Sequence, residues 1–154
     1  MTPSEVLLRK LSEWRPAAGR HILNAADEQA GWTVGLTTER ADGTGCQVWE
    51  LTVQRQAPAS LSAWAGSLAL RVTGLLEPLK VHEVDAGRGE ALLRSQQPTS
   101  RAEQLHYYEV LLQAAGKATV RRYQASHQLG EHRKQTAFAL THEALAKLAE
   151  DLAA

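Results

Sequence analysis

Cysteine is almost absent from this chain, and that scarcity is the first constraint. Cys46 stands alone among 154 residues, which excludes an intramolecular disulfide and any paired-cysteine metal site. Net charge is absent as well. Seventeen basic residues cancel seventeen acidic ones, so no whole-molecule field favours nucleic acid, an anionic membrane or an acidic substrate. No apolar run approaches the roughly 18 residues of a membrane-spanning helix, and no motif recurs with the period of about 20 to 50 residues that marks a repeat protein. The opening "MTPSEVLLRK" carries charges where a secretory leader needs an apolar core, so the expectation is a cytoplasmic chain outside any membrane.

Catalytic signatures are missing too. There is no HExxH pair. The glycines of "ADGTG" lack the following lysine and helix of a phosphate loop, and Cys46 has no histidine or aspartate at a telling distance. Glu83 and Asp85 share a strand face by period, yet nothing in the pattern would raise either pKa for acid–base work.

What remains is the composition of an ordinary folded domain, 44% hydrophobic and 22% charged, with the length expected of one unit over residues 1–154. "TPSE" supplies a capping box and a proline for the first helical turn. Val6, Leu7, Leu11 and Trp14 then recur at helical spacing. "WTVGLTTER" and "CQVWELTVQR" alternate as strands about the turn "ADGTG", whereas "HILNAADEQA" before them is left open between strand and coil. Ser60 caps a central helix whose stripe is Leu61, Trp64, Ala65, Leu68 and Val72, ended by Gly74. "PLKVHEVD" and "EALLRS" make a second hairpin. Residues 105–140 read as a three-strand meander with turns at Gly116 and Gly130, and Thr141 caps a last helix bearing Leu145, Leu148 and Leu152. The order is helix, hairpin, helix, hairpin, meander, helix: an α+β domain with three helices packed on an antiparallel sheet. That order is similar to the small α+β fold of type III secretion chaperones, and what the resemblance implies is the fold.

Register fixes which side chains meet. A type II′ turn beginning at Gly116 predicts Val110 opposite Tyr123, Leu112 opposite Arg121 and Tyr108 opposite Ala125. For the next turn, an even loop about Leu129-Gly130 puts Thr136, Phe138 and Leu140 on the face that carries Tyr123, which buries the chain's one phenylalanine. His127 then lies opposite both His132 and His106, and three imidazoles in one row could hold a divalent metal such as zinc with an open position of the kind hydrolytic sites keep. The competing reading makes them solvated residues at a hairpin end, with no cofactor.

Five basic residues between Lys117 and Lys134 face Glu131 alone, and Arg122, Arg133 and Lys134 are candidates for anion binding, with Glu109 expected to pair with Arg122 across strands. Arg94 is expected to meet Glu83 across its own hairpin. Of the four tryptophans, at least three are expected in the core, and one left on a rim would anchor a protein interface. Taken together these features favour a non-enzymatic protein-interaction domain, an adaptor or chaperone for a protein partner or a homo-oligomer. The histidine row and the basic patch supply the metal-site and anion or nucleic-acid alternatives.

Overall fold

The computed structural model describes residues 1–126 and 132–154. The amphipathic segments become α1 (Pro3–Glu13), α2 (Leu61–Arg71) and α3 (His142–Ala153). Between them run β1 (His21–Asp27), β2 (Trp32–Ala41), β3 (Gly45–Gln54), β4 (Leu79–Asp85), β5 (Glu90–Ser95), β6 (Thr99–Arg101), β7 (Gln104–Gln113), β8 (Lys117–Ser126), β9 (Lys134–Thr136) and β10 (Phe138–Thr141). All described pairings are antiparallel and build one sheet in the order β1-β2-β3-β8-β7-β5-β4. The α+β class and the order of helices and strands are as the sequence predicts, and "HILNAAD" resolves as a strand, β1.

Each helix begins where the chemistry said it would. Thr2 and Glu5 form the reciprocal capping box of α1, while Ser60 and Thr141 accept backbone N–H groups at the starts of α2 and α3. Apolar stripes of all three lie on one side of the sheet: α1 over β1, α2 over β4 and β5, and α3 over β3 and β10 beside α1. Leu7, Leu11, Leu68, Leu145 and Leu152 are fully buried there against Leu36, Val48, Leu51, Leu93 and Leu112. The other side of the sheet carries no helix among the described residues. No helix among them is long and apolar enough to cross a membrane.

The last strand does more than close the meander. β9 pairs with β8 at Arg122–Gln124, and after Ala137 β10 pairs with β3 at Gly45–Val48. One segment thereby fills the wedge where β3 and β8 diverge. His142, the first residue of α3, donates its backbone N–H to the Thr44 carbonyl, and its ring Nε2 lies 3.0 Å from the Asp42 carbonyl. This ties the β2–β3 turn to the helix.

Among the local irregularities of the sheet, three bear on strand faces expected from regular alternation. The β7–β8 loop holds three residues rather than two, because Gly116 takes the left-handed position (φ +103°) that ends such a loop. Gln113 consequently pairs with Lys117, Val110 with Val120 and Tyr107 with Tyr123. A side chain at Gly116 would also place its Cβ 2.3 Å from the Arg55 carbonyl. In β3, Trp49 is an extra residue between Val48 and Glu50, so Cys46, Val48, Leu51 and Val53 all stay in the core although their spacing breaks alternation. In β4, His82 is the extra residue between Val81 and Glu83.

The Gly116 loop inverts one strand. Ala118, Val120 and Arg122 face the helices, while Arg121 and Tyr123 turn to the open side, the reverse of the expected arrangement. The β8–β9 register is also one residue off expectation, with Tyr123 opposite Gln135. The two shifts offset each other for the final strand, and Phe138 is buried edge-on against Tyr108, with ring centroids 5.4 Å apart.

Candidate functional site

Inversion of β8 sorts its charged and aromatic residues into two clusters on opposite sides of the sheet. On the helix side, Arg122 is 5% exposed and forks onto Glu77, itself 5% exposed, with both nitrogen–oxygen distances 3.0 Å. Ser95 Oγ and Thr99 Oγ1 each donate to the Glu77 carboxylate at 2.8 Å, and Tyr108 N–H donates to Ser95 Oγ at the same distance. The Arg122 guanidinium also stands 4.1 Å from the centre of the Tyr108 ring. Burial pushes the Glu77 carboxyl up, but Arg122 and the two hydroxyls outweigh it and hold it below its ordinary value. Every polar atom of the Glu77 carboxylate thus has a partner, and the cluster pins the loop after α2 to β5, β6 and β8. Arg122 is accordingly not presented to an external anion, and its partner is Glu77 rather than Glu109.

On the open side the centre is Glu109, 8% exposed. Arg94 Nε donates to it at 2.8 Å from β5, and Arg133 Nη1 donates to the same oxygen in a short contact. Arg94 therefore meets Glu109 of β7 and not Glu83 of its own hairpin. The guanidinium of Arg133 lies 3.9 Å over Tyr123, and that of Arg94 lies 5.7 Å from Tyr107. The two tyrosines stack on each other with centroids 6.0 Å apart. Arg121 pairs with Glu50 at 2.7 Å, and its pKa is raised by the Tyr123 hydroxyl first and by Glu50 after it. At the far end Arg20 covers Trp49, 3.7 Å from the ring centre. Trp49 is half-buried because the bulge removes it from the core, and its carbonyl accepts the Gln135 side-chain amide at 2.9 Å. Trp32 and Trp64 are buried and Trp14 packs against the core, so Trp49 is the tryptophan on the rim.

Beside the Tyr123/Arg133 stack, across β5, β7 and β8, runs a trough of about 380 Å³. Leu92, Leu111 and Thr119 form its floor, and Lys117, Arg121 and Arg133 stand around it against Glu109 as the one acid in the lining among the described residues. Lys117 has no ion-pair partner among the described residues.

The remaining candidate residues separate. His106 pairs with Gln124 across β7–β8, so the arithmetic that placed His127 opposite it does not hold. His106 is half-buried on the helix side, where burial, then the Arg122 and Arg101 guanidiniums, lower its pKa and leave the imidazole neutral at neutral pH. His127 lies outside the described residues, and His132 is exposed. Among the described residues no group of three histidine, cysteine or acidic side chains is placed to hold a metal ion. Lys134 is exposed at the start of β9, opposite Gln124. Glu83 is exposed on β4, and Asp85 accepts the Arg88 backbone N–H within its own turn. Buried Cys46 has its thiol pushed up to about 11 by desolvation, with Asp42 adding to the effect.

Sequence reasoning missed Glu109 as the hub of the open face. The signal available was an acidic residue two positions from both Tyr107 and Leu111, within the run Tyr107–Leu112 that is otherwise aromatic or aliphatic. Comparison of the chain with protein-family models, with curated proteins and with solved structures returns no match.

Proposed function

We propose that this is a non-enzymatic cytoplasmic protein-interaction domain, adaptor or chaperone-like, whose helix-free sheet face receives a partner segment combining apolar side chains with carboxylates. The observation that supports it is the paving of that face by Trp49/Arg20, Tyr107/Arg94 and Tyr123/Arg133, with a trough beside the last of these in which Leu92 and Leu111 lie among polar and basic side chains. Tryptophan, tyrosine and arginine are the residue types that dominate binding hot spots. Here their rotamers are held by stacking and ion pairs before any partner arrives, which lowers the entropy lost on docking.

Charge selects the chemistry of the partner. Glu109 already receives two arginines, so one positive charge is in excess there, and Lys117 adds another at the trough. A carboxylate beside a leucine or phenylalanine would meet both the cations and the floor. Selection of a random-peptide display library on the immobilised domain tests the idea. Enriched sequences should place Asp or Glu next to large apolar residues and lose binding to a Lys117→Glu, Arg133→Glu double variant. Enrichment of basic sequences, or equal binding to that variant, would overturn the proposal.

A further inference from the structure

β4 is an edge strand, hydrogen-bonded among the described residues to β5 alone. The residues around it are unusually apolar for an edge. Six large hydrophobic side chains are exposed among the described residues, and four belong to this corner: Leu70 at 84%, Leu76 at 75%, Val84 at 40% and Val81 at 38%. Leu70 lies in the last turn of α2, Leu76 lies in the loop that follows, and a groove of about 590 Å³ lined by Leu70, Val72, Leu75, Leu79 and Val81 runs between α2 and the strand.

A bulge commonly blunts an edge. The bulge at His82 has a different consequence here. Val81 pairs with Leu93 and Val84 with Ala91, both core-facing residues, so two valines three positions apart share the helix side. Lys80, opposite Arg94, and Asp85, opposite Glu90, point to the open side. His82 lies there as well, its Nε2 3.3 Å from Arg94 Nη1, and Glu83 pairs with Leu92 of the trough floor. Without the bulge the valines would part.

With it, the strand is complementary to itself. We infer that a second copy of this chain adds antiparallel to β4 about a two-fold axis between His82 and Glu83, which joins the two sheets. In that register Lys80 faces Asp85 of the second copy, His82 faces Glu83, and Val81 faces Val84; the axis repeats all three. Each pair lies on one face of the sheet: the polar pairs on the open side, the valines on the helix side, where Val81 lines the groove. Lys80 and Glu83 have no ion-pair partners among the described residues. The opposite edge differs, since Lys10 of α1 donates to the Asn24 carbonyl of β1 at 2.9 Å.

The inference does not rest on the partner-binding reading, which uses another surface. Sedimentation equilibrium of the intact chain should give twice the 16.8 kDa chain mass at high micromolar concentration, and Val81→Glu should return it to the monomer. Register is tested by cysteines at exposed positions. A mixture of Val81→Cys and Val84→Cys chains should form a disulfide dimer on oxidation, because directly opposed residues lie within about 5.5 Å between Cα atoms. Either variant alone should not, since like residues would be offset by three positions, about 10 Å along the strand. A monomer at all concentrations, a dimer indifferent to Val81→Glu, or a dimer lacking the mixed disulfide would each overturn it.

Discussion

Replacement of Arg122 by methionine isolates the energetics of the buried ion pair. Methionine approximates the aliphatic stem but leaves Glu77 charged, 5% exposed and without the two 3.0 Å bonds that balanced its desolvation. Ser95 and Thr99 still donate to it, yet two neutral hydroxyls do not replace a guanidinium. Removing one member of a buried pair costs about 3 to 5 kcal/mol. That is a large share of the roughly 5 to 15 kcal/mol that stabilises a typical domain, and it corresponds to a fall in Tm of about 6 to 20 °C for a chain of this size. Urea unfolding followed by tryptophan fluorescence measures it directly.

The partner variant completes the cycle. Glu77→Leu with Arg122→Met removes both charges, and apolar replacement of a whole pair is commonly neutral or better, so most of the loss should be recovered and the coupling energy should exceed about 2 kcal/mol. Acid supplies an independent check. Because the folded-state pKa of Glu77 is depressed, its contribution is fully present above the unfolded value near 4.3 and is lost as pH falls through the folded value. Glu77→Gln should flatten that part of the stability profile below the unfolded value. A loss under about 1 kcal/mol for Arg122→Met, or additivity in the double variant, would refute the assignment of Arg122 and Glu77 as a coupled pair.

Two further outcomes follow from local geometry. Ala102 and Glu103 form the two-residue turn between β6 and β7 with φ of +50° and +64°, a conformation that costs a residue with a Cβ roughly 1 to 2 kcal/mol; Ala102→Asn with Glu103→Gly suits the turn and should raise the urea midpoint by the equivalent of about 1 kcal/mol. Cys46 is buried and its thiol is pushed up to about 11, so a thiol reagent at neutral pH should modify it only as fast as the domain opens, and labelling at the rate of a free thiol in native buffer would contradict its place in the core.

The elements were legible in the sequence because their signals are local. Thr2, Ser60 and Thr141 announce helix starts through hydrogen bonds made within three residues, and the alternation in β2 reports directly which side is buried. Even the burial of Phe138 was readable, although for a reason that was half right: the outer strands of the meander keep their expected faces and only β8 is turned over. The four tryptophans behave similarly, with three against the core and Trp49 on the rim, where a bulge puts it and no sequence period could.

The site was less legible because it depends on parity, and parity is set by single extra residues. One residue in the Gly116 loop decides whether Arg122 is a surface cation or the buried partner of Glu77. It also decides whether Tyr123 joins Phe138 in the core or Tyr107 on the open face. The same loop moves His106 from His127 to Gln124. In β4 the extra residue His82 brings Val81 and Val84 to one side, which a strict period of two forbids. Glycine at position 116 accompanies the first shift, yet Ala-Ala-Gly-Lys is compatible with loops of either parity; the loop is held by Arg55, whose N–H donates to the Gly116 carbonyl at 2.9 Å and whose own carbonyl leaves no room for a Cβ. The contact is made 61 positions away in the chain, and the parity that goes with it leaves Arg121 and Tyr123 on the open face and Arg122 in the core.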